Sequence, residues 1–368
     1  RSVSRGLGDV YKRQMLIQAW HYAAPNYPYT CYDVLYRTPR QHVGGCLWHS
    51  FDHQRGYHPD PFYGGLMDVF RQPKYSYYMF QAQRSPKKQD RLFETGPMVY
   101  IAHEMTPFSP KDVTVYSNCD EVRLTYNKGG KSLTYTKPVS REGMPSPIIT
   151  FKDVYNFMID KNMSMKEGRQ KEVFLLAEGL INGKVVATHK VCPARRPSKL
   201  LLWIDNENTE LKADGSDFVT VIAAIADKNG NIKRLNNYYV KFHIEGEGRI
   251  LGGANVLANP APVKWGTAPI LVQSTLKPGK IKITASVLFE GSQMPISGEL
   301  EFESKPSVFP LVYDAADAAR IPLGSASAGQ NTASKTDAER EVERLRKELN
   351  TLKLKEVERQ QSEFGEKE

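Results

Sequence analysis

Residues 43–68 carry the most informative pattern of the chain and read Val43-Gly-Gly-Cys-Leu-Trp-His-Ser-Phe-Asp-His-Gln-Arg-Gly-Tyr-His-Pro-Asp-Pro-Phe-Tyr-Gly-Gly-Leu-Met-Asp68. It opens with a short apolar run, residues 43–48, which predicts a buried strand because strands covered on both faces lack polar alternation. Residues 51–63 follow as an aromatic-rich loop, since two prolines exclude a helix there. Pro73 then suits the first turn of a helix that continues to Arg84. The pattern predicts one strand, one loop and one helix.

The residues around this loop carry a family resemblance. They are Gly44-Gly45, Trp48, Phe51-Asp52, Gly65, Asp68, Arg71, Pro73-Lys74 and Tyr77-Tyr78. In this arrangement they resemble the barrel end of glycoside hydrolases of family 2, in particular the β-galactosidase branch. The resemblance implies that residues 15–90 are the end of a (β/α)₈ catalytic barrel, a fold whose chemistry lies at the C-terminal ends of its strands. The run Tyr36-Arg-Thr-Pro-Arg40 is consistent with the end of the seventh barrel helix.

The resemblance also implies site residues. The family carries a tryptophan at the end of the eighth strand, where it lines the pocket for the sugar being cleaved, and Trp48 matches it. An indole face against a sugar ring is physically apt. Asp52 is interpreted as ordering the loop or contacting the sugar, and His49 and His53 as lining the pocket or lying in solvent rather than as metal ligands. We therefore predict that Trp48, Asp52 and His53 bind substrate.

The catalytic carboxylates are a separate question. Retaining glycosidases use two carboxylates about 5 Å apart, one as acid/base and one as nucleophile. The family takes both from glutamates at the ends of its fourth and seventh strands, and no glutamate occurs between Met15 and Leu92. No catalytic residue is carried over, and Asp68 with Arg71 is interpreted as a structural pair. We expect a C-terminal fragment that is inactive alone, with residues 1–14 as a non-native, adapter-like leader.

Two β-rich regions follow. In residues 91–197, short β-branched and aromatic runs alternate with polar residues between turn signals, of which Asn182-Gly183 is a strong hairpin signal. Six or seven such strands predict an immunoglobulin-like β-sandwich. A second set over 198–305 resembles the bacterial Ig-like modules at the C-termini of these hydrolases. Residues 306–336 are predicted to be a flexible linker, and residues 337–368 a charged helical tail.

The predicted fold is therefore multidomain and mainly β: the C-terminal remnant of a (β/α)₈ barrel, two immunoglobulin-like β-sandwiches and a helical tail. The 368 residues are 40% hydrophobic and 25% charged, which is ordinary for globular chains. The net charge of +9 is spread along the sequence rather than forming a basic stripe with stacking aromatics, so no nucleic-acid partner is predicted. No apolar run is long enough to span a membrane.

The sequence says less about cofactors, disulfide bonds, oligomeric state and cellular location. The four cysteines show no CxxC spacing, which argues against zinc, and a bridge between Cys119 and Cys192 is left open. No cofactor is evident; the resemblance implies Mg²⁺ or Na⁺, but no matching ligand set is identified. The polar run 205–208 is interpreted as a solvated turn rather than a Ca²⁺ site. Two heptads in the tail leave homo-oligomerisation open. The resemblance favours a periplasmic or extracellular location.

The predicted function is hydrolysis of terminal β-galactosides in oligosaccharides or polysaccharides. The alternative is a non-catalytic carbohydrate-binding or scaffold β-sandwich protein. The segment 43–80 favours the first, because a binding module has no reason to carry a barrel end. One strand and two helices of a barrel lack the ring of partners that buries their faces. We therefore expect residues 15–90 to be poorly packed or to lean on the first sandwich.

Overall fold

The computed structural model of the chain describes residues 18–20, 22–23, 32–37, 47, 49–54, 56, 62–87, 95–127, 131–140, 142–158, 173–205, 209–236, 238–288 and 295–307. Strands far outnumber helices in these ranges, so the prediction of a mainly β fold is confirmed. No helix within the same ranges is long and apolar enough to cross a membrane. Trp48, Cys31, Cys46 and the predicted leader and helical tail lie outside the described residues.

Helix α1 spans Tyr32–Arg37 and helix α2 spans Tyr75–Gln81; residues 18–20 and 22–23 are also helical. The fully buried Asp33 anchors α1 to a later part of the chain. Its Oδ1 accepts the backbone N–H of Met144 at 2.9 Å, and its Oδ2 accepts Nε of Arg37 at 2.8 Å. We refer to the described residues from 18 to 87 as the N-terminal segment.

The start of α2 differs from the prediction. Pro73 forms an isolated β-bridge with Met67, and Lys74 is extended, with φ −95° and ψ 176°. The backbone N–H of Lys74 donates to the carbonyl of Leu66 at 2.9 Å, which ties this residue to the preceding chain. The helix therefore begins at Tyr75, and the placement of Pro73 in its first turn was wrong.

The structure describes seven strands between residues 99 and 191. They are β1 (Val99–Ala102), β2 (Val113–Ser117), β3 (Glu121–Tyr126), β4 (Lys131–Thr136), β5 (Ile149–Phe151), β6 (Leu175–Ile181) and β7 (Lys184–Val191). Two antiparallel sheets result, in the orders β1-β2-β5 and β4-β3-β6-β7. Side chains of both sheets, including Ile101, Val115, Leu124 and Ala177, share one buried core. Two sheets closed over one core form a sandwich, here called the first sandwich.

The hairpin between β6 and β7 has the turn that its sequence predicts. Asn182 and Gly183 have φ angles of 51° and 72°, so both central residues are left-handed. Turns of this kind match the twist of the flanking strands, and Asn-Gly is the pair that adopts them most readily. Strand β4 alternates as a half-buried strand should: Leu133 and Tyr135 pack against the core, and Ser132, Thr134 and Thr136 are exposed.

A second pair of sheets contains nine described strands between residues 199 and 306. They are β8 (Lys199–Asp205), β9 (Lys212–Ala213), β10 (Phe218–Ala226), β11 (Tyr239–Gly246), β12 (Gly248–Ile250), β13 (Ala261–Pro262), β14 (Thr267–Ser274), β15 (Gly279–Val287) and β16 (Gly298–Pro306). The orders are β12-β14-β10-β8 and β13-β11-β15-β16-β9, and a 3₁₀ helix spans Ala254–Val256. Val221, Ile270, Phe242 and Ile283 lie in the core between the sheets. This unit is called the second sandwich.

The N-terminal segment leans on the first sandwich. Tyr75, Met79 and Ala82 are each 1% exposed, and they share a hydrophobic cluster with Ala102 of β1 and Tyr116 of β2. Burying aromatic and aliphatic side chains in this way removes apolar surface from water, at roughly 25 cal/mol per Å². Of the two expected outcomes, poor packing or leaning on the first sandwich, the described residues show the second.

Glu104, just after β1, joins all three parts of the molecule. Its carboxylate accepts the hydroxyl of Tyr75 from α2 and Nε of Arg234 from the second sandwich, both at 3.2 Å. Arg234 also donates Nη1 to the carbonyl of Trp265 at 3.2 Å. The side chains of Glu104 and Arg234 are 14% and 25% exposed, so the ion pair is largely shielded from solvent.

Cys119 and Cys192 are not joined by a disulfide. Cys119 is a buried thiol whose Sγ lies 3.6 Å from the carbonyl oxygen of Met98. Burial raises the pKa of Cys119, which keeps the thiol protonated and unreactive.

Candidate functional site

The loop that follows Trp48 is held by backbone pairing. We call its described residues, 49–54 and 62–67 with Gly56, the strand-end loop. Asp52 donates its N–H to the carbonyl of Met67 at 2.9 Å, and Met67 donates to the carbonyl of Ser50 at 3.1 Å. His53 and Phe62 exchange a second pair of backbone bonds, at 3.3 and 2.9 Å. The residues directly after Trp48 are thereby fixed to the far side of the loop.

A buried ion pair lies beneath this loop. Nζ of Lys74 is 2.5 Å from Oδ1 of Asp52, and each side chain is 2% exposed. Oδ1 also accepts the N–H of Gly65 at 3.0 Å, and Nζ also donates to the carbonyl of Tyr63 at 3.0 Å. Burial raises the pKa of Asp52 and lowers the pKa of Lys74, while the hydrogen bond between them acts in the opposite direction on both. The pair ties the loop to the residue before α2.

Gly65 makes this close approach possible. A Cβ added at this position would lie 2.2 Å from the carbonyl carbon of Phe51 and 2.3 Å from the nitrogen of Asp52. Both neighbours are backbone atoms that have little freedom to move. Further bonds hold the same strip, because Gln18 Nε2 donates to the carbonyl of Gly65 at 2.9 Å and the Tyr22 hydroxyl to that of Gly64 at 3.1 Å.

Three rings cluster on the loop. The ring centroids of His49 and His53 are 4.4 Å apart, and Phe62 lies 4.9 Å from His49 and 5.4 Å from His53. Desolvation lowers the pKa of His49, and the neighbouring His53 lowers it further. The cluster offers partly exposed aromatic and imidazole surface next to Trp48 in sequence, a combination suited to the apolar face and hydroxyl groups of a sugar.

The turn at 68–72, which follows the strand-end loop, is ordered by the Asp68 carboxylate. Oδ1 of Asp68 accepts the backbone N–H groups of Phe70 and Gln72 at 2.8 and 2.9 Å. The guanidinium of Arg71 instead lies 4.3 Å from the ring centre of Phe51. Asp68 and Arg71 are linked through one backbone bond of 3.0 Å, while their side chains bind different partners. The two residues are structural, as expected, but they do not form an ion pair. Burial raises the pKa of Asp68, against the effect of the two N–H donors.

The predicted site residues therefore differ in their surroundings. Trp48 lies outside the described residues. His53 is half-buried beside Phe62, whereas Asp52 is enclosed by Lys74 and Gly65. The enclosure of Asp52 favours the loop-ordering role of the two that the sequence left open. Sequence reasoning missed Lys74 as its partner, because a lysine before a helix is ordinarily solvated.

The fit of a metal ion can be judged on the same residues. Across the described ranges, no three His, Cys, Asp or Glu side chains converge on one point. The carboxylate of Asp52 is already occupied by a cation and an N–H donor. These residues do not form a ligand set for the Mg²⁺ or Na⁺ that the resemblance implies, and residues 206–208 of the polar run 205–208 lie outside the described part.

Comparison with known proteins agrees with the resemblance drawn from the sequence. Residues 202–288 match the family described as glycoside hydrolase family 2 C-terminal domain 5. A protein named beta-galactosidase from Thermoanaerobacter pseudethanolicus is 31% identical over 273 residues, covering 72% of this chain and 34% of that protein. A beta-galactosidase from Bacteroides ovatus is 28% identical over 261 residues, covering 66% and 27%. The chain thus spans about a third or less of these relatives.

Solved structures agree at the level of the fold. The structure of a beta-glucuronidase from glycoside hydrolase family 2 aligns with a TM-score of 0.55 and 21% identity, over 82% of this chain and 28% of that one. A beta-glycosidase from Bacteroides vulgatus aligns with a TM-score of 0.50 and 23% identity, over 70% and 30%. The sequence matches confirm the resemblance to glycoside hydrolase family 2, and the solved structures show that the fold is shared.

Proposed function

We propose that this chain, a relative of glycoside hydrolase family 2 proteins, forms part of a retaining enzyme that hydrolyses terminal β-galactosides of oligosaccharides or polysaccharides. Within that enzyme, Trp48 and, from the strand-end loop that follows it, His53 line the sugar pocket. Two relatives named beta-galactosidase support the substrate class. The motif from Gly44 to Tyr78, which resembles the end of the family's barrel, supports the location of the pocket.

The observation that carries the proposal is the buried pair of Asp52 and Lys74. A lysine and an aspartate at 2.5 Å, each 2% exposed, are costly to bury, and they hold the residues after Trp48 in one conformation. A sugar pocket benefits from such rigidity because side chains that are already oriented lose little entropy on binding. Asp52 accordingly acts as a positioning residue, and His53 and Phe62 form the surface that it positions.

Retaining catalysis needs two carboxylates, which the family resembled here takes from glutamates. No glutamate occurs between Met15 and Leu92. Asp52 is engaged by Lys74, and Asp68 by two backbone N–H groups, so neither serves as acid/base or nucleophile. The chain alone is therefore expected to bind a galactoside without cleaving it.

The test uses the purified chain with two readouts. Nitrophenyl β-D-galactoside should show no hydrolysis above a blank, whereas galactose should bind in a calorimetric titration. Trp48→Ala should weaken that binding about tenfold, since an aromatic stacking contact contributes about 0.5–1.5 kcal/mol and a tenfold change corresponds to about 1.4 kcal/mol. Trp20→Ala, which removes a 41% exposed tryptophan of the same segment, is the matched control and should bind as the wild type.

Two results would overturn the proposal. One is equal galactose affinity in the wild type and Trp48→Ala, which would remove Trp48 from the pocket. The other is hydrolysis of the nitrophenyl galactoside that a substitution in this chain abolishes, which would contradict the expected inactivity.

A further inference from the structure

We infer that Gln72 and Asp205 are positioning residues through which the second sandwich sets the geometry of the strand-end loop. The inference rests on the proposed function, because it assigns to the second sandwich a part in the sugar pocket. The two residues are 133 positions apart in sequence, yet Nε2 of Gln72 donates to Oδ2 of Asp205 at 2.6 Å. Asp205 is the last residue of β8, in the region that matches the family 2 C-terminal domain.

A series of hydrogen bonds, interrupted by one peptide bond, leads from Asp205 into the loop. The backbone of Gln72 exchanges bonds with Asp68: its N–H donates to the Asp68 carboxylate at 2.9 Å, and its carbonyl accepts the Asp68 N–H at 3.0 Å. Met67, which precedes Asp68 in the chain, donates its N–H to the carbonyl of Ser50, and its carbonyl accepts the N–H of Asp52. Every step from β8 to the residues after Trp48 is a direct contact.

The start of α2, just after this turn, is held by a second and independent set of contacts. Tyr75, the first residue of α2, donates its hydroxyl to Glu104, and Glu104 also accepts Arg234 of the second sandwich. Lys74 lies between these two anchor points, one residue from Tyr75 and two from Gln72. The residue that pairs with Asp52 is thus flanked on both sides by contacts that lead to the second sandwich.

The donor and acceptor roles of Gln72 and Asp205 can be exchanged by mutation, which makes this contact testable. Gln72 is the donor and Asp205 the charged acceptor, so the contact requires a donor on the turn and an acceptor on β8. Gln72→Glu places two carboxylates at hydrogen-bonding distance and pushes the turn away from β8. Gln72→Glu with Asp205→Asn restores one donor and one acceptor in the reverse direction. Asp205→Asn alone retains an acceptor for the amide of Gln72 and should change little.

The experiment compares these three variants with the wild-type chain by hydrogen exchange and by calorimetric titration with galactose. In Gln72→Glu, the amides of Asp52 and Met67 should exchange at least tenfold faster, and galactose should bind about tenfold more weakly, since small misplacements of binding groups have large effects. The reversed double variant should recover both values to within about threefold. Asp112→Asn is the control, because it breaks an exposed ion pair with Lys152 in the first sandwich and should move neither.

The outcomes separate the two proposals. Unchanged exchange in Gln72→Glu would overturn the inference, as would a double variant that recovers neither the exchange nor the affinity. Failure of the wild type to bind galactose would overturn the proposed function instead. The exchange rates would in that case still decide whether the second sandwich controls the loop.

Discussion

Tyr78 of helix α2 and Tyr100 of strand β1 lie face to face, with ring centroids 3.6 Å apart and planes inclined by 7°. His189 of β7 stacks on Tyr100 at 4.5 Å and 25°. The three rings come from the N-terminal segment and from both sheets of the first sandwich. The stack therefore fastens α2 at the corner where the two sheets meet.

A double-mutant cycle measures the strength of this stack. Tyr78→Leu and Tyr100→Leu should each lower the free energy of unfolding, and their effects should fall short of additivity by about 0.5–1.5 kcal/mol, the usual coupling of an aromatic pair. Urea titration of the four proteins gives the values. Strict additivity would show that the rings contribute through burial alone.

Lys74→Met should be among the most damaging single changes in the N-terminal segment. It leaves the Asp52 carboxylate buried without its cation, which typically lowers the free energy of unfolding by about 3–5 kcal/mol. Lys74→Met combined with Asp52→Asn should lose clearly less, because the amide is neutral and keeps an acceptor for the N–H of Gly65.

The matched control for this pair is Lys152→Met. Lys152 and Asp112 are 2.7 Å apart, but their side chains are 77% and 38% exposed, so the loss should be about 0–1 kcal/mol. Chemical denaturation compares the variants. Equal losses for Lys74→Met and Lys152→Met would contradict the view that burial makes the Asp52 pair structurally important.

Acid should destabilise the fold through His189. Its Nδ1 accepts the N–H of Ile101 at 3.0 Å, and burial lowers the pKa of His189 below 6.5, while nearby Glu104 acts to raise it. The unfolded chain then binds a proton that the folded chain does not. Stability is therefore full above pH 6.5 and falls as the pH drops toward the folded pKa, by at most about 1.4 kcal/mol per pH unit.

Unfolding free energies measured between pH 5 and 8 test whether stability falls on the acid side. His189→Asn should flatten the acid side of the profile, because its amide oxygen accepts the same N–H without titrating. His243→Asn, at a histidine whose side chain is 55% exposed, is the control and should leave the wild-type profile in place. A His189→Asn profile as steep as the wild type would assign the acid sensitivity to other groups.

Local features of this fold could be predicted from sequence. The turn at Asn182 and Gly183 follows from two residues that tolerate left-handed φ, whatever surrounds them. Strand β10 is a long run of apolar residues, a pattern that by itself favours a buried strand. Strand β16 has only Leu300 and Phe302 as large apolar residues, and they alternate with Glu299, Glu301 and Glu303 on the exposed face of the strand.

The site depended on contacts that no local pattern encodes. Asp52 and Lys74 are 22 residues apart, and nothing in the sequence indicates that the lysine is buried. Gln72 and Asp205 belong to different parts of the molecule, so their contact depends on how those parts pack. The family resemblance located the loop, but only three-dimensional packing identified which carboxylate is enclosed.

The meeting of Tyr75 and Arg234 on Glu104 has a consequence for protein engineering. A chimaera that exchanges the second sandwich for a module from a relative would leave Glu104 shielded and without its cation, unless the incoming module carries an arginine at the same place. Exchange of the second sandwich in this chain is thus conditional on one side chain of the incoming module. Glu104→Gln in the recipient would relax that condition.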